Sequence, residues 1–218
     1  MNNAREEIFN RIKSKTRQNG QDAASIIERR LSAHQRGPVP VFPEELLERF
    51  ILKLKNVVGT VKEISDMSEL PAAVSEYLSS LNVEQKIVTA VPEIHSLNWP
   101  ADFEVNNRAA ISSDLSSVTM AYAAVAETGT LVLQAAKETP TSLNFLPDNF
   151  ICVLKQQDIH TSMEDIWDAI RKDDKGMPRV VNFITGPSRT ADVEQTIQLG
   201  AHGPRYLHVI IIRQAGSD

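Results

Sequence analysis

The residues placed for chemistry fall in two short segments. The first is AETGTLVL, residues 126–133. Glu127 stands there in a small-residue turn between two apolar runs. A carboxylate at such a sheet shoulder can act as base or nucleophile, or hold a ribose hydroxyl. It can equally accept N–H bonds from its own turn, as turn acids commonly do. Thr128 and Thr130 add hydroxyls that either line a polar pocket or satisfy the hairpin, and Gly129 completes the turn. The second segment is GPSRT, residues 186–190. A small-residue turn that ends a strand and opens a helix aims backbone N–H groups outward, a geometry that binds anions. Ser188 and Thr190 would add hydroxyl donors there, and Arg189 a planar cation suited to phosphate or carboxylate. Yet Ser and Thr are what any helix cap uses, and Asp192 and Glu194 already complement the dipole. His202, just ahead of Gly203-Pro204, is either a general acid/base, a pocket donor, or a turn histidine bonded to backbone. The candidate catalytic residues are therefore Glu127 and His202. The candidate ligand-binding residues are Thr128, Gly129, Thr130, Gly186, Ser188, Arg189 and Thr190.

The elements that must hold these residues can be read from apolar spacing. Val180, Val181, Phe183 and Ile184 form an apolar run, read as a buried strand. A short helix is expected after Ser188 or Thr190, with Gly200 at its C-terminal position, where φ is often positive. Leu207 and Val209 through Ile212 give a second buried strand. Two such strands joined through a helix predict a βαβ unit in one parallel sheet. Residues 122–126 and 130–134 predict a hairpin with Glu127 at its shoulder, although the alanines also permit a helix over 122–126.

Upstream, residues 4–16 and 22–34 read as two helices, followed by a linker with three prolines in 36–43. Helices are expected from Pro43 to about residue 57, over 68–81, and over 161–172. Strands are expected at 57–61, 86–90 and 150–154. Segment 91–113 can hold only short elements, and 139–149 is polar and turn-rich. The alternation predicts an α/β domain, a mostly parallel open sheet flanked by helices, over residues 37–218. Residues 1–36 form an N-terminal helical arm.

Composition narrows the function. The chain has 218 residues and a net charge of -5, against the basic balance that general nucleic-acid binding wants. Charge is uneven: residues 1–36 carry +4 and the remainder -9. The arm is either a docking segment, for a partner or its own body, or a solvated helix face. No run approaches a membrane span, and the N-terminus lacks a signal-peptide core, so a cytoplasmic protein is expected. Cys152 is the one cysteine. It permits no internal disulfide and cannot hold an iron–sulfur cluster within one chain. No HxxxH, CxxC, GxGxxG, GxxxxGK[ST] or GxSxG pattern is present, so no metal site, dinucleotide fingerprint, P-loop or serine-hydrolase elbow is signalled.

The segment TGPSRTADVEQTIQLGAHGPRYLHVII, together with AETGTLVL, resembles the lactate-utilisation protein C family, the LUD-domain proteins. The resemblance covers roughly residues 37–213 and is strongest after Val118. It implies the α/β fold shared with ribose-5-phosphate isomerase, glucosamine-6-phosphate deaminase and the CoA transferases. It also implies a part in oxidising L-lactate to pyruvate in bacteria, beside iron–sulfur lactate-utilisation proteins that carry the clusters, with no cofactor in this chain. CoA-transferase relatives use a glutamate at a sheet-edge turn as nucleophile, and Glu127 is its analogue by position. The other reading is a stand-alone CoA-transferase- or isomerase-like enzyme binding an anionic small molecule, phosphorylated or CoA-type.

Overall fold

The longest strands are nearly continuous runs of Ile, Val, Leu and Phe, and such runs are stable only when both faces are covered. The computed structural model describes residues 3–16, 23–33, 36–174, 176–190 and 198–213. Two compact units divide the chain, Met1–Val39 and Pro40–Asp218. The first holds α1 (Asn3–Thr16) and α2 (Ala23–Ala33). Their large apolar side chains Ile8, Phe9, Ile12, Ile27 and Leu31 are exposed.

The second unit begins with α3 (Leu46–Asn56), β1 (Thr60–Ile64), α4 (Leu70–Ser80), β2 (Lys86–Thr89), α5 (Pro92–His95) and β3 (Glu104–Asn107). It continues with β4 (Ser116–Met120), β5 (Ala123–Val125), β6 (Thr130–Gln134), α6 (Ser142–Phe145), β7 (Asn149–Lys155) and β8 (Ile159–His160). It ends with α7 (Met163–Lys172), β9 (Val181–Ile184), β10 (Arg189–Thr190), β11 (Gln198–Leu199) and β12 (Tyr206–Ile212). Six strands form one open sheet in the order β1-β12-β7-β4-β2-β3, every neighbouring pair parallel. A four-stranded sheet has the order β8-β5-β6-β9, and β10 pairs with β11 alone.

Strand alternation assigns the two faces of the large sheet. Phe150, Cys152 and Leu154 of β7 and Leu207, Val209 and Ile211 of β12 form one core with Leu47, Phe50 and Leu54 of α3. Ile151, Val153 and Ile210 point the other way, onto Leu70, Val74 and Leu78 of α4. The second sheet adds Ala124, Leu131 and Leu133 to the first core, while Ala123, Val125 and Val132 meet Ile166 and Ile170 of α7. The mostly parallel sheet flanked by helices and the β5–β6 hairpin are both present.

Several local expectations are corrected. The strand expected at 57–61 begins at Thr60, because Val57 and Val58 close α3. The Val57 N–H donates to carbonyls of that helix, and Val58 takes φ 67. Strand β4 was hidden by Ser116, Ser117 and Thr119, which are all buried. Ser117 Oγ donates to Leu143 O at 2.6 Å, and Asn149 Nδ2 donates to Ser116 Oγ at 3.1 Å. β9 is half-buried along its length. The βαβ unit expected from β9 and β12 does not form. β9 pairs antiparallel with β6 in the smaller sheet, whereas β12 lies between β1 and β7 in the larger. The helix expected after the GPSRT loop is replaced at both described ends by the antiparallel β10–β11 pair; residues 191–197, where its body was expected, lie outside the described residues. Gly200 does have positive φ, 79, but it follows a strand.

Candidate functional site

Residues 126–129 make the turn between β5 and β6. The Gly129 N–H donates to Val125 O at 3.0 Å, and the Glu127 N–H to Thr161 O at 3.1 Å. Glu127 is half-buried and Thr128 exposed. Gly129 takes φ +69, and a Cβ there would lie 2.6 Å from Leu54 N and 2.8 Å from Lys53 C. The turn is thus pressed on the last turn of α3, and only glycine fits. From it runs a chain of hydroxyls. Thr128 Oγ1 and Thr130 Oγ1 are 2.6 Å apart, and Thr130 Oγ1 and Thr185 Oγ1 are 2.6 Å apart. Thr185 directly follows β9, so the pairing of β6 with β9 ties the hairpin to the GPSRT loop.

That loop makes two kinds of contact. Gly186 takes φ +88, and a Cβ there would meet Val57 Cγ2 at 2.9 Å. Arg189 donates from its guanidinium to Val57 O at 3.3 Å. A cation near a helix C-terminus satisfies outward carbonyls and complements the dipole. Ser188 faces the other way, toward residues 200–204. Its N–H donates to Pro204 O at 2.8 Å, and its carbonyl accepts from the Gly200 N–H at 3.0 Å. Ser188 Oγ accepts from the His202 N–H at 3.3 Å. Ser188 therefore braces two loops. Arg189 and Thr190 form β10 and do not open a helix, so their N–H groups are not those of a helix N-terminus. The Thr190 side chain lies outside what the structure describes.

Ser188 and His202 line a hollow of about 220 Å3, together with Thr185, Gly186 and the rings of Phe145, Phe150 and Phe183. It opens at the amino ends of β7 and β12, where Phe150 and Leu207 are the second residues of their strands. Asn144 also lines it, is 1% exposed, and its Oδ1 has no hydrogen-bond partner. Sequence reasoning passed over Asn144, since 139–149 offered only polar turn residues. Of the candidates, Gly186, Ser188 and His202 converge on this hollow. Glu127 and Arg189 are not in its wall; Gly129, Gly186 and Arg189 touch the end of α3, and Thr130 connects the two places through Thr185.

Other hollows lie in the second unit, four of them with walls among the described residues. Three carry Lys or Arg in their walls. Lys86 and Arg108 line one, Arg213 a second and Lys62 a third. Each of these cations is already paired: Lys86 with Glu104 at 2.9 Å, Arg108 with Asp114 at 2.7 Å, Arg213 with Glu63 at 2.7 Å and Lys62 with Glu76 at 3.0 Å. The fourth, of about 440 Å3 at the carboxyl end of β4, has Glu138 as its charged wall residue. Open α/β sheets commonly bind ligands at carboxyl ends, but among the described residues no Lys or Arg lines this hollow.

His208, on β12, is structural. Its ring stacks on Tyr77 at 3.9 Å and 7°, and its Nδ1 lies 2.8 Å from Thr60 Oγ1. Thr60 Oγ1 also donates to Leu207 O at 3.3 Å. Burial, with Lys62 nearby, lowers the His208 pKa to about 4. Burial likewise raises the Tyr77 hydroxyl to about 12. Cys152 is fully buried, and burial pushes its thiol well above the usual range, which disfavours the thiolate. Among the described residues no three His, Cys, Asp or Glu side chains form a metal cluster, and no helix is long and apolar enough to cross a membrane.

A parallel open sheet backed by helices, with a small second sheet whose β5–β6 turn is locked onto α3, defines the class of protein. The family model for the LUD domain matches residues 47–212, and the chain belongs to that family. It is 32% identical over 114 residues to the uncharacterized protein NMB1437 of Neisseria meningitidis, covering 52% of this chain and 46% of that protein. It is 32% identical over 109 residues to lactate utilization protein C of Bacillus subtilis, covering 49% of this chain and 45% of that one. The corresponding Anoxybacillus flavithermus protein is 33% identical over 111 residues, covering 51% and 47%. The chain thus aligns with just under half the length of these curated relatives. A crystal structure of a DUF162 family protein from Deinococcus radiodurans shares the fold, with TM-score 0.60 and 23% identity, covering 79% of this chain and 99% of that one.

Proposed function

We propose that this chain serves lactate utilisation, as a component of a bacterial system that oxidises L-lactate to pyruvate with iron–sulfur partner proteins. The observation that carries this reading is the LUD-domain match over residues 47–212, joined to relatives named lactate utilization protein C. Electrostatics supports a role through partners. A lactate carboxylate needs a cation or a set of aimed donors to leave water. The Lys and Arg side chains in the walls of the described hollows are each matched to a carboxylate. The buried Cys152 is unsuited to ligating a cluster, so electron carriers reside on other chains.

Deleting the gene in a bacterium that carries it should abolish growth on L-lactate as carbon source and spare growth on pyruvate. The tagged protein should also co-purify with iron–sulfur proteins from lactate-grown cells. Unimpaired growth of the deletion strain on L-lactate would overturn the proposal.

A further inference from the structure

We propose that two copies of this chain associate through the free edge of β9, the two strands pairing antiparallel about a two-fold axis at Asn182. The ladder between β6 and β9 fixes where the backbone groups of β9 point. Antiparallel strands alternate between pairs that exchange both hydrogen bonds and pairs whose N–H and C=O groups point away from each other. The Ala135 N–H donates to Val180 O at 3.0 Å, and the register sets Leu133 opposite Asn182 and Leu131 opposite Ile184. Residues 180, 182 and 184 therefore direct their main-chain groups at β6, and Val181 and Phe183 turn theirs outward. β9 ends its sheet, and no turn, loop or further strand among the described residues bonds to those outward groups.

The outward set is self-complementary. With Asn182 opposite Asn182 of a second copy, Val181 of each strand faces Phe183 of the other. Each of these pairs exchanges both bonds, so the outward N–H and C=O groups of both strands are satisfied and the interface closes on itself. The other sheet edges are built against pairing, which charge or shortness prevents. β1 presents Lys62 and Glu63, in ion pairs with Glu76 and Arg213. β3 presents Glu104, paired with Lys86, and β8 has two residues. β9 reads Val-Asn-Phe-Ile, with neither charge nor proline. Met177 and Val180, which lead into it, are 63% and 42% exposed. The same register sets Val180 beside Ile184 of the second copy and covers it.

This reading does not rest on the lactate reading, whose test is growth. Sedimentation velocity of the full chain should show a concentration-dependent equilibrium between monomer and dimer, with a Kd on the order of 10 μM for so short a pairing. Hydrogen exchange at the Val181 and Phe183 amides should slow as the concentration rises through that value. Val180→Lys places a charge beside the edge, as protected edges do. It should raise the Kd about tenfold or more and leave the melting temperature of the dilute protein unchanged. Val181→Pro removes one outward N–H and no donor to β6, so it should also give monomer; if it fails to fold, Val180→Lys decides. A natural chain that stays monomeric to about 200 μM, dimerisation undiminished in either folded variant, or exchange at Val181 and Phe183 that ignores concentration would overturn the proposal.

Discussion

His208 makes the sharpest residue-scale prediction. Its ring is held neutral in the fold, with a pKa near 4 against about 6.5 in an unfolded chain. The groups that face it are Thr60 and Lys62 of β1 and Glu76 and Tyr77 of α4. Because the unfolded state takes up the proton first, the contribution is fully present above about pH 6.5 and is lost as pH falls toward 4. The full effect is about 3 kcal/mol. Urea unfolding between pH 7 and 4.5 should show the midpoint dropping in the natural protein and dropping much less in His208→Gln. Asp114, held below the usual carboxylate range mainly by Arg108, acts in a separate window: its contribution fades only below the ordinary carboxylate pKa. Two glycines with similar φ provide an internal control. A Cβ at Gly129 would lie 2.6 Å from the α3 backbone, whereas one at Gly176, at φ +73, would meet nothing within 4 Å among the described residues. Gly176→Ala should cost about 1 kcal/mol from conformation alone. Gly129→Ala should cost about 2–4 kcal/mol because overpacking adds to it. Thermal melts of the two variants decide this.

At the scale of elements, the site depends on how α6 is fastened. This helix is four residues long and cannot be stable by itself. Leu143 is fully buried, and its carbonyl accepts from Ser117 Oγ on β4 at 2.6 Å. Ser117→Ala would leave a buried carbonyl unpaired, at a cost of about 1–3 kcal/mol. It should also loosen Asn144, the next residue. The expected outcome is a lower melting temperature together with faster amide hydrogen exchange at residues 143–146, with β12 unchanged. The four-stranded sheet works as a clamp on the other side. β6 receives β9, β9 delivers Thr185 and Gly186, and those residues begin the loop that carries Ser188.

On the scale of the whole molecule, the apolar cores draw their residues from Phe42 onward, and Met1–Val39 form a unit of their own. A chain starting at Pro40 should therefore unfold cooperatively, with a melting temperature within about 3 °C of the full chain's, a shift of about 1 kcal/mol or less at this size. Circular dichroism melts of both chains measure it. The arm carries +4 and the remainder -9, so loss of the arm should matter more for association, which electrostatics steers, than for folding.

The sequence by itself determined the α/β class, the hairpin around Glu127, the helices from Leu46, Leu70 and Met163, and the strands at β2, β7 and β12. Their apolar periods state which face is buried, and burial is a local property of the pattern. It also carried the LUD resemblance, through two segments at residues 126–133 and 185–211. Only the tertiary structure decided that β9 and β12 belong to different sheets, that β4 runs through the middle of the larger one, and that Asn144 joins Ser188 and His202 around one hollow. Arg189 finds its partner 132 residues away. Strand partners and such long-range contacts are chosen by the summed energy of the whole arrangement, and a side chain's type carries no record of what will lie opposite it.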